Sequence, residues 1–222
     1  MVLFVVQQIR FCRRTCLAEP MRKTQMQRRQ DSEQALLASA ISVIAKGGVS
    51  AVTFEALAEA GGFSRGLATS RFGTKSRLIE ALVETLRERQ AQLARQADND
   101  AKSGIEAVLS YVEAGLADIA ERPESRAYFM LLSSSVAEAS DLRSVFAETH
   151  EQVRVMLEQW VRRGQEDGSI RLDTDPASAG LMIGCMIFGS LMQYHVDPAG
   201  DFEALRHSTL NLLRTGLGTA QS

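Results

Sequence analysis

Apolar residues recur along this chain at helical spacing, segment after segment, from about Asp31 to the last apolar positions. In DSEQALLASAISVIAKGG, residues 31–48, Leu36, Leu37, Ala40, Ile41 and Ile44 fall on one face of a helix. Asp31 and Gln34 have the form of a capping pair at its start, and Gly47 and Gly48 stop it. A short second helix follows, capped by Thr53, with Phe54, Leu57 and Ala58 as its apolar face and Gly61–Gly62 as its end. Ser64 caps a third helix, SRGLATSRF, closed by Gly73, and Thr74 caps a fourth that runs from Lys75 to about Arg95. Five more helical segments complete the pattern. They begin near Gly104, Ser125, Leu142, Pro176 and Asp201, and no alternating strand pattern or internal repeat interrupts them. The fold class predicted is all-α, about nine helices.

Two short helices joined by a glycine-containing tight turn predict a helix-turn-helix, whose second helix enters the major groove of DNA. The charge distribution supports this. Residues 21–76 carry eight Lys and Arg against four Asp and Glu, whereas residues 77–222 carry 14 against 22. Such asymmetry points to an anion-binding part and a part with another task. The stretch GGFSRGLATSRFGTK, residues 61–75, holds Arg65, Arg71 and Lys75 and no acid. Ser64 stands where a helix N-terminus meets phosphate, and Gly66, two residues on, is a further candidate contact. Arg65, Thr69, Ser70 and Arg71 can donate to bases or phosphates, and Lys75 reaches the next phosphate. Phe63, Leu67 and Phe72 are expected to turn inward. Thr53 at the second helix start and Arg29 on a basic arm are further candidate DNA contacts.

Residues 36–82 resemble the DNA-binding domain of tetracycline-repressor-type (TetR family) regulators. The resemblance is carried by Gly48, Thr53, GGFS at 61–64, Phe72 and GTK at 73–75. The family commonly has a Tyr-Tyr-His run before the Phe. Here those positions are Thr69, Ser70 and Arg71, so the base contacts must differ. The resemblance implies a homodimeric regulator with a head at 28–76 and a ligand-binding and dimerisation body at 77–222; residues 1–27, where a short apolar start precedes the charges, are expected to be a poorly ordered extension. The resemblance also implies double-stranded DNA and a small-molecule effector as partners, and the last two helices as the dimer interface.

The segment 177–192 is apolar almost all round. A helix of that kind is expected to be buried on all sides, by the body or by a second copy. It is short for a membrane span. Gly180, Gly184, Phe188 and Leu191, with Thr209 and Leu213 on the last helix, are assigned to the dimer interface. Tyr128, Phe129, Met130, Phe146, Met156, Trp160, Met186 and Phe188 are candidates for an adaptable apolar pocket, although each also fits plain core at helical spacing. The three cysteines, Cys12, Cys16 and Cys185, form no disulfide framework or zinc spacing, which fits a reducing cytoplasm and no cofactor. His150, His195 and His207 lack metal-ligand spacing. With no nucleophilic triad or phosphate loop, an enzyme is not expected. An all-helical ligand-binding or interaction protein without DNA binding is the alternative reading.

Overall fold

The computed structural model describes residues 24–219; the expected extension lies mostly outside the described residues. Among them are nine α-helices: α1 (Gln25–Gly47), α2 (Phe54–Gly61), α3 (Arg65–Phe72), α4 (Lys75–Asp100), α5 (Gly104–Glu121), α6 (Pro123–Ala137), α7 (Leu142–Glu166), α8 (Pro176–Val196) and α9 (Phe202–Leu217). A single 3-10 turn, Val49–Ala51, joins α1 to α2. The described residues contain no extended strand, only an isolated bridge between Ile170 and Gly218.

The chain divides into two compact units, residues 1–34 and 35–222. In the first, the described residues are the opening turns of α1. They correct the expected start: α1 begins at Gln25, not near Asp31. Thr24 and Gln27 cap it reciprocally. The Gln27 amide donates to Thr24 Oγ1 at 3.2 Å, and the Thr24 amide donates to Gln27 Oε1 at 2.8 Å.

In the second unit the helix ends follow local chemistry. Thr53, Ser64, Thr74, Ser103, Asp175 and Asp201 each accept a hydrogen bond from an amide in the following first turn. Gly62, at φ 67°, ends α2 in a left-handed conformation that a side chain would strain. Pro123 and Pro176 occupy first turns, where the missing N–H costs nothing. α4 continues to Asp100, one turn beyond expectation, because Ala97 still buries against the body.

Two apolar clusters fill the unit. One unites Leu36, Ile44, Leu57, Ala68 and Phe72 of α1–α3 and Leu78–Leu86 of α4 with Ala127, Leu131 and Leu132 of α6 and Phe146 of α7. The other joins α5, α7, α8 and α9 around Val108, Leu116, Leu157, Trp160 and Ile183. α5 and α7 cross at two glycines. A Cβ on Gly104 would lie 2.2 Å from the Gly164 nitrogen and 2.3 Å from the Trp160 carbonyl oxygen, and both are main-chain atoms. The Gly104 amide also donates to Asp167 Oδ2 at 2.7 Å. Gly104→Ala is therefore expected to force the helices apart at a cost of about 1–3 kcal/mol or more. That lowers the melting temperature by roughly 2–4 °C per kcal/mol. Gly66→Ala is the control: nothing lies within 4 Å of its Cβ, so α3 should gain up to about 1 kcal/mol of helix propensity. Thermal unfolding of both variants checks the contrast, and equal melting temperatures would contradict it.

The packing of α8 departs from the sequence expectation. Only Gly180, Ile183, Ser190 and Leu191 are buried within the chain. Leu181, Met182, Cys185, Gly189, Met192 and Val196 form an exposed stripe at intervals of three and four residues. Met182 is 59% exposed and, on α9, Leu212 is 62% exposed. α8 is 21 residues long and contains an 18-residue window of mean hydropathy 1.3, the length and composition of a membrane span, contrary to the sequence reading. Its most extensive contact is with α7 of the same chain.

Candidate functional site

The first candidate site is the outer face of α3. The packing of α2 on α1 explains the paired glycines before it. A Cβ on Gly61 would overlap the Phe63 ring and come within 2.4 Å of Ser39 Oγ, so Gly61 permits close approach while Gly62 permits the reversal. Phe72 and Ala68 are buried, and Phe63 and Leu67 pack half-buried against the same cluster. This orientation leaves Ser64, Arg65, Gly66, Thr69 and Ser70 exposed together, with Arg71 half-buried at the edge. The Ser64 hydroxyl accepts from the Leu67 amide at 3.3 Å. Thr69 and Ser70 donate to the carbonyls of Arg65 and Leu67, which keeps their lone pairs, not their protons, toward the surface. Thr53 and Lys75 are also exposed. Lys75 Nζ donates to the Val49 carbonyl at 3.0 Å and ties the start of α4 to the 3-10 turn. Arg29, exposed on α1, belongs to the other compact unit.

Sequence reading missed one member of this surface. Glu55, in the first turn of α2, places Oε1 2.8 Å from Arg65 Nη2. An acid ten residues away on another helix leaves no trace in the local pattern around Arg65.

The second candidate site is a cavity of about 550 Å³ between α4, α5, α6, α7 and α8. Leu86, Leu93, Ile119, Leu132, Ile187 and Phe188 supply apolar wall. Polar groups enter it in pairs. Arg89 Nε donates to Asp118 Oδ2 at 3.1 Å, Gln90 Nε2 donates to the Tyr111 hydroxyl at 3.4 Å, and the Tyr128 hydroxyl lies 3.0 Å from His150 Nε2. Burial pushes both the Tyr111 and Tyr128 phenols upward, so both stay protonated, and burial holds His150 below its ordinary value. Tyr128 and the neutral His150 then share a hydrogen bond whose direction follows the imidazole tautomer.

Of the eight expected pocket residues, Tyr128 and Phe188 line this cavity. Phe146 is buried edge-on against Tyr128, Trp160 is buried edge-on against Tyr111, and Phe129 stacks between Phe188 and His195. Met130, Met156 and Met186 pack against the apolar clusters. Of the residues assigned to the dimer interface, Gly180, Leu191, Thr209 and Leu213 are buried inside the chain. A Cβ on Gly180 would meet the Arg154 carbonyl at 2.8 Å, so this glycine serves the α7–α8 contact. Position 209 is polar, and its hydroxyl donates to the Leu205 carbonyl. Gly184 and Phe188 are half-buried and line the cavity.

His195 packs on Phe129 and Tyr194. Burial, and then the charge of Arg126, lower its pKa, as burial does for His150. A histidine whose folded value lies below its unfolded one binds fewer protons in the native state. Stability should therefore be fully present above about pH 6.5, the ordinary value, and fall as pH drops through it. Chemical denaturation from pH 7.5 to 5.5 measures this. Replacing both histidines with glutamine should flatten the slope, and an unchanged slope would assign it elsewhere.

A glycine-turned helix pair with an exposed polar face, followed by a helical body that lines a cavity, is the architecture of a helix-turn-helix DNA-binding regulator. Residues 36–82 match the pattern of bacterial regulatory proteins of the tetR family, and residues 104–218 match the C-terminal domain of BetI-type transcriptional repressors. The chain belongs to the TetR family of transcriptional regulators, with an N-terminal DNA-binding domain and a C-terminal helical domain. No curated protein sequence matches it. Solved structures share the fold. A transcriptional regulator from Saccharomonospora viridis in complex with choline is 15% identical, with TM-score 0.75 over 86% of this chain and 99% of its own. SmeT, the repressor of the Stenotrophomonas maltophilia multidrug efflux pump SmeDEF, is 18% identical, with TM-score 0.70 over 86% and 93%. A TetR-family regulator from Rhodococcus sp. is 22% identical, with TM-score 0.68 over 84% and 98%.

Proposed function

We propose that this chain binds a palindromic operator as a homodimer through the outer face of α3, and releases it when a small, mainly apolar molecule enters the cavity. Residues 28–76 act as the head and 77–222 as the body, in the cytoplasm. The observation that carries the reading is the grouping of Ser64, Arg65, Gly66, Thr69, Ser70 and Lys75 on one exposed surface, while Ala68 and Phe72 anchor α3 from behind. Arg65 at the start of α3 addresses base edges. Ser64, Thr53 and Lys75 address phosphates, with Arg71 at the rim; Arg29, in the other unit, is a separate candidate for backbone contact.

The second copy is assigned to the exposed stripe of α8, with Leu212 of α9. An apolar face of this extent is a feature of protein interfaces rather than of a water-facing helix. The cavity volume suits a small organic ligand, and its paired polar groups would fix orientation within an apolar wall. Relatives of the same fold have been solved with choline and with triclosan, both small molecules. An effector shifts the equilibrium only by binding the released form more tightly than the DNA-bound form. Selection of duplexes from a random pool, followed by binding over a salt series, tests the reading. A palindromic consensus bound two protomers at a time is expected. Enrichment of no sequence, or binding by a monomer, would overturn it.

A further inference from the structure

Glu55 stands on the DNA-facing surface, where a carboxylate repels phosphate. Its main chain is fixed by the first turn of α2, which Thr53 caps through the Ala56 amide at 3.0 Å. An acid in that turn is also favoured by the helix macrodipole. Its partner, Arg65, is 71% exposed and Glu55 itself 57%, so the ion pair contributes little to folding and the fold does not account for it. The contact at 2.8 Å engages Arg65 through Nη2, and a guanidinium has five N–H protons in a rigid fork. Gly66 beside it carries no side chain and has open space around its Cα, so a base edge can come close.

We propose that Glu55 is a positioning residue for sequence recognition. It holds the Arg65 guanidinium by one edge so that the remaining donors meet a purine, guanine O6 and N7 above all, instead of settling on the nearest phosphate. The carboxylate lowers affinity for DNA in general and raises discrimination among sequences. This role rests on the α3 face being the DNA-reading surface.

The test compares wild type, Glu55→Gln, Arg65→Ala and the double variant on the selected operator and on a scrambled duplex of equal length, over a salt series. Glu55→Gln is expected to bind scrambled DNA about three- to tenfold more tightly, with a salt slope steeper by up to about one ion. Its operator affinity should change less, so that discrimination falls about tenfold at the base read by Arg65. In the Arg65→Ala background, Glu55→Gln should leave discrimination unchanged. An equal gain on both duplexes would reduce Glu55 to a repulsive charge and overturn the proposal. A loss of discrimination that persists without Arg65 would overturn it too, by making Glu55 itself the reader of a cytosine amino group. Absence of any sequence preference in wild type would remove the DNA-reading surface together with this role, whereas the variant series can fail with the surface intact.

Discussion

Arg65→Ala should weaken operator binding by about 10- to 100-fold and relax preference at one base position in each half-site. The expectation follows from its place. Arg65 is the first residue of α3, exposed at the end of the helix that the turn aims outward. Lys75→Ala should behave differently. Lys75 follows the turn, at the start of α4, and is assigned above to a phosphate, so its loss should weaken every sequence alike and lower the salt slope by about one. Its bond to the Val49 carbonyl would also be lost, so the melting temperature of the variant is recorded beside the binding. Binding of both variants to selected and scrambled duplexes decides the matter. Unchanged affinity in both would remove α3 as the reading helix.

Met182→Arg should separate the protomers and reduce operator affinity by several orders of magnitude. Met182 lies on the exposed α8 stripe and outside the cavity lining, so the substitution leaves the ligand site intact. A guanidinium buried there without a partner costs several kcal/mol. One head without its twin then loses the second half-site, and with it the gain from intramolecular binding of the second site. Sedimentation and circular dichroism should show a folded monomer, since Met182 makes no part of the buried core. A variant that stays dimeric, or a wild type that is monomeric at tens of micromolar, would refute this interface.

The helix boundaries were legible where a single residue type determines them. Thr53, Ser64 and Thr74 cap, Gly62 and Gly73 reverse the chain, and Pro176 starts α8, each for a local reason that needs no tertiary context. The start of α1 was misread because Asp31–Gln34 and Thr24–Gln27 offer the same capping signature, and local sequence does not say which is used. The cavity was legible only at Tyr128 and Phe188. Periodicity assigns a residue to an inward face, but whether that face meets a neighbour or a void depends on how five helices pack. Glycines such as Gly115 and Gly184, and the Arg89–Asp118 pair, line the space without any apolar signal. In α8 the all-round hydrophobicity was read as a demand for burial on all sides, by the body or by a second copy. Of the small residues chosen as interface markers, Gly180 meets α7 and Gly184 lines the cavity, while Leu181, Met182, Met192 and Val196 stay outside.

The cluster that joins α1–α3 to α6 has a consequence for anyone who would exchange heads among relatives. Leu36, Leu57 and Phe72 share one core with Ala127, Leu131 and Leu132. A cut after residue 76 would run through that core, stripping Leu78–Leu86 and α6 from it. The reading surface is thus not a detachable module, and a workable graft would carry the seam residues of α4 and α6 along with the recognition helix.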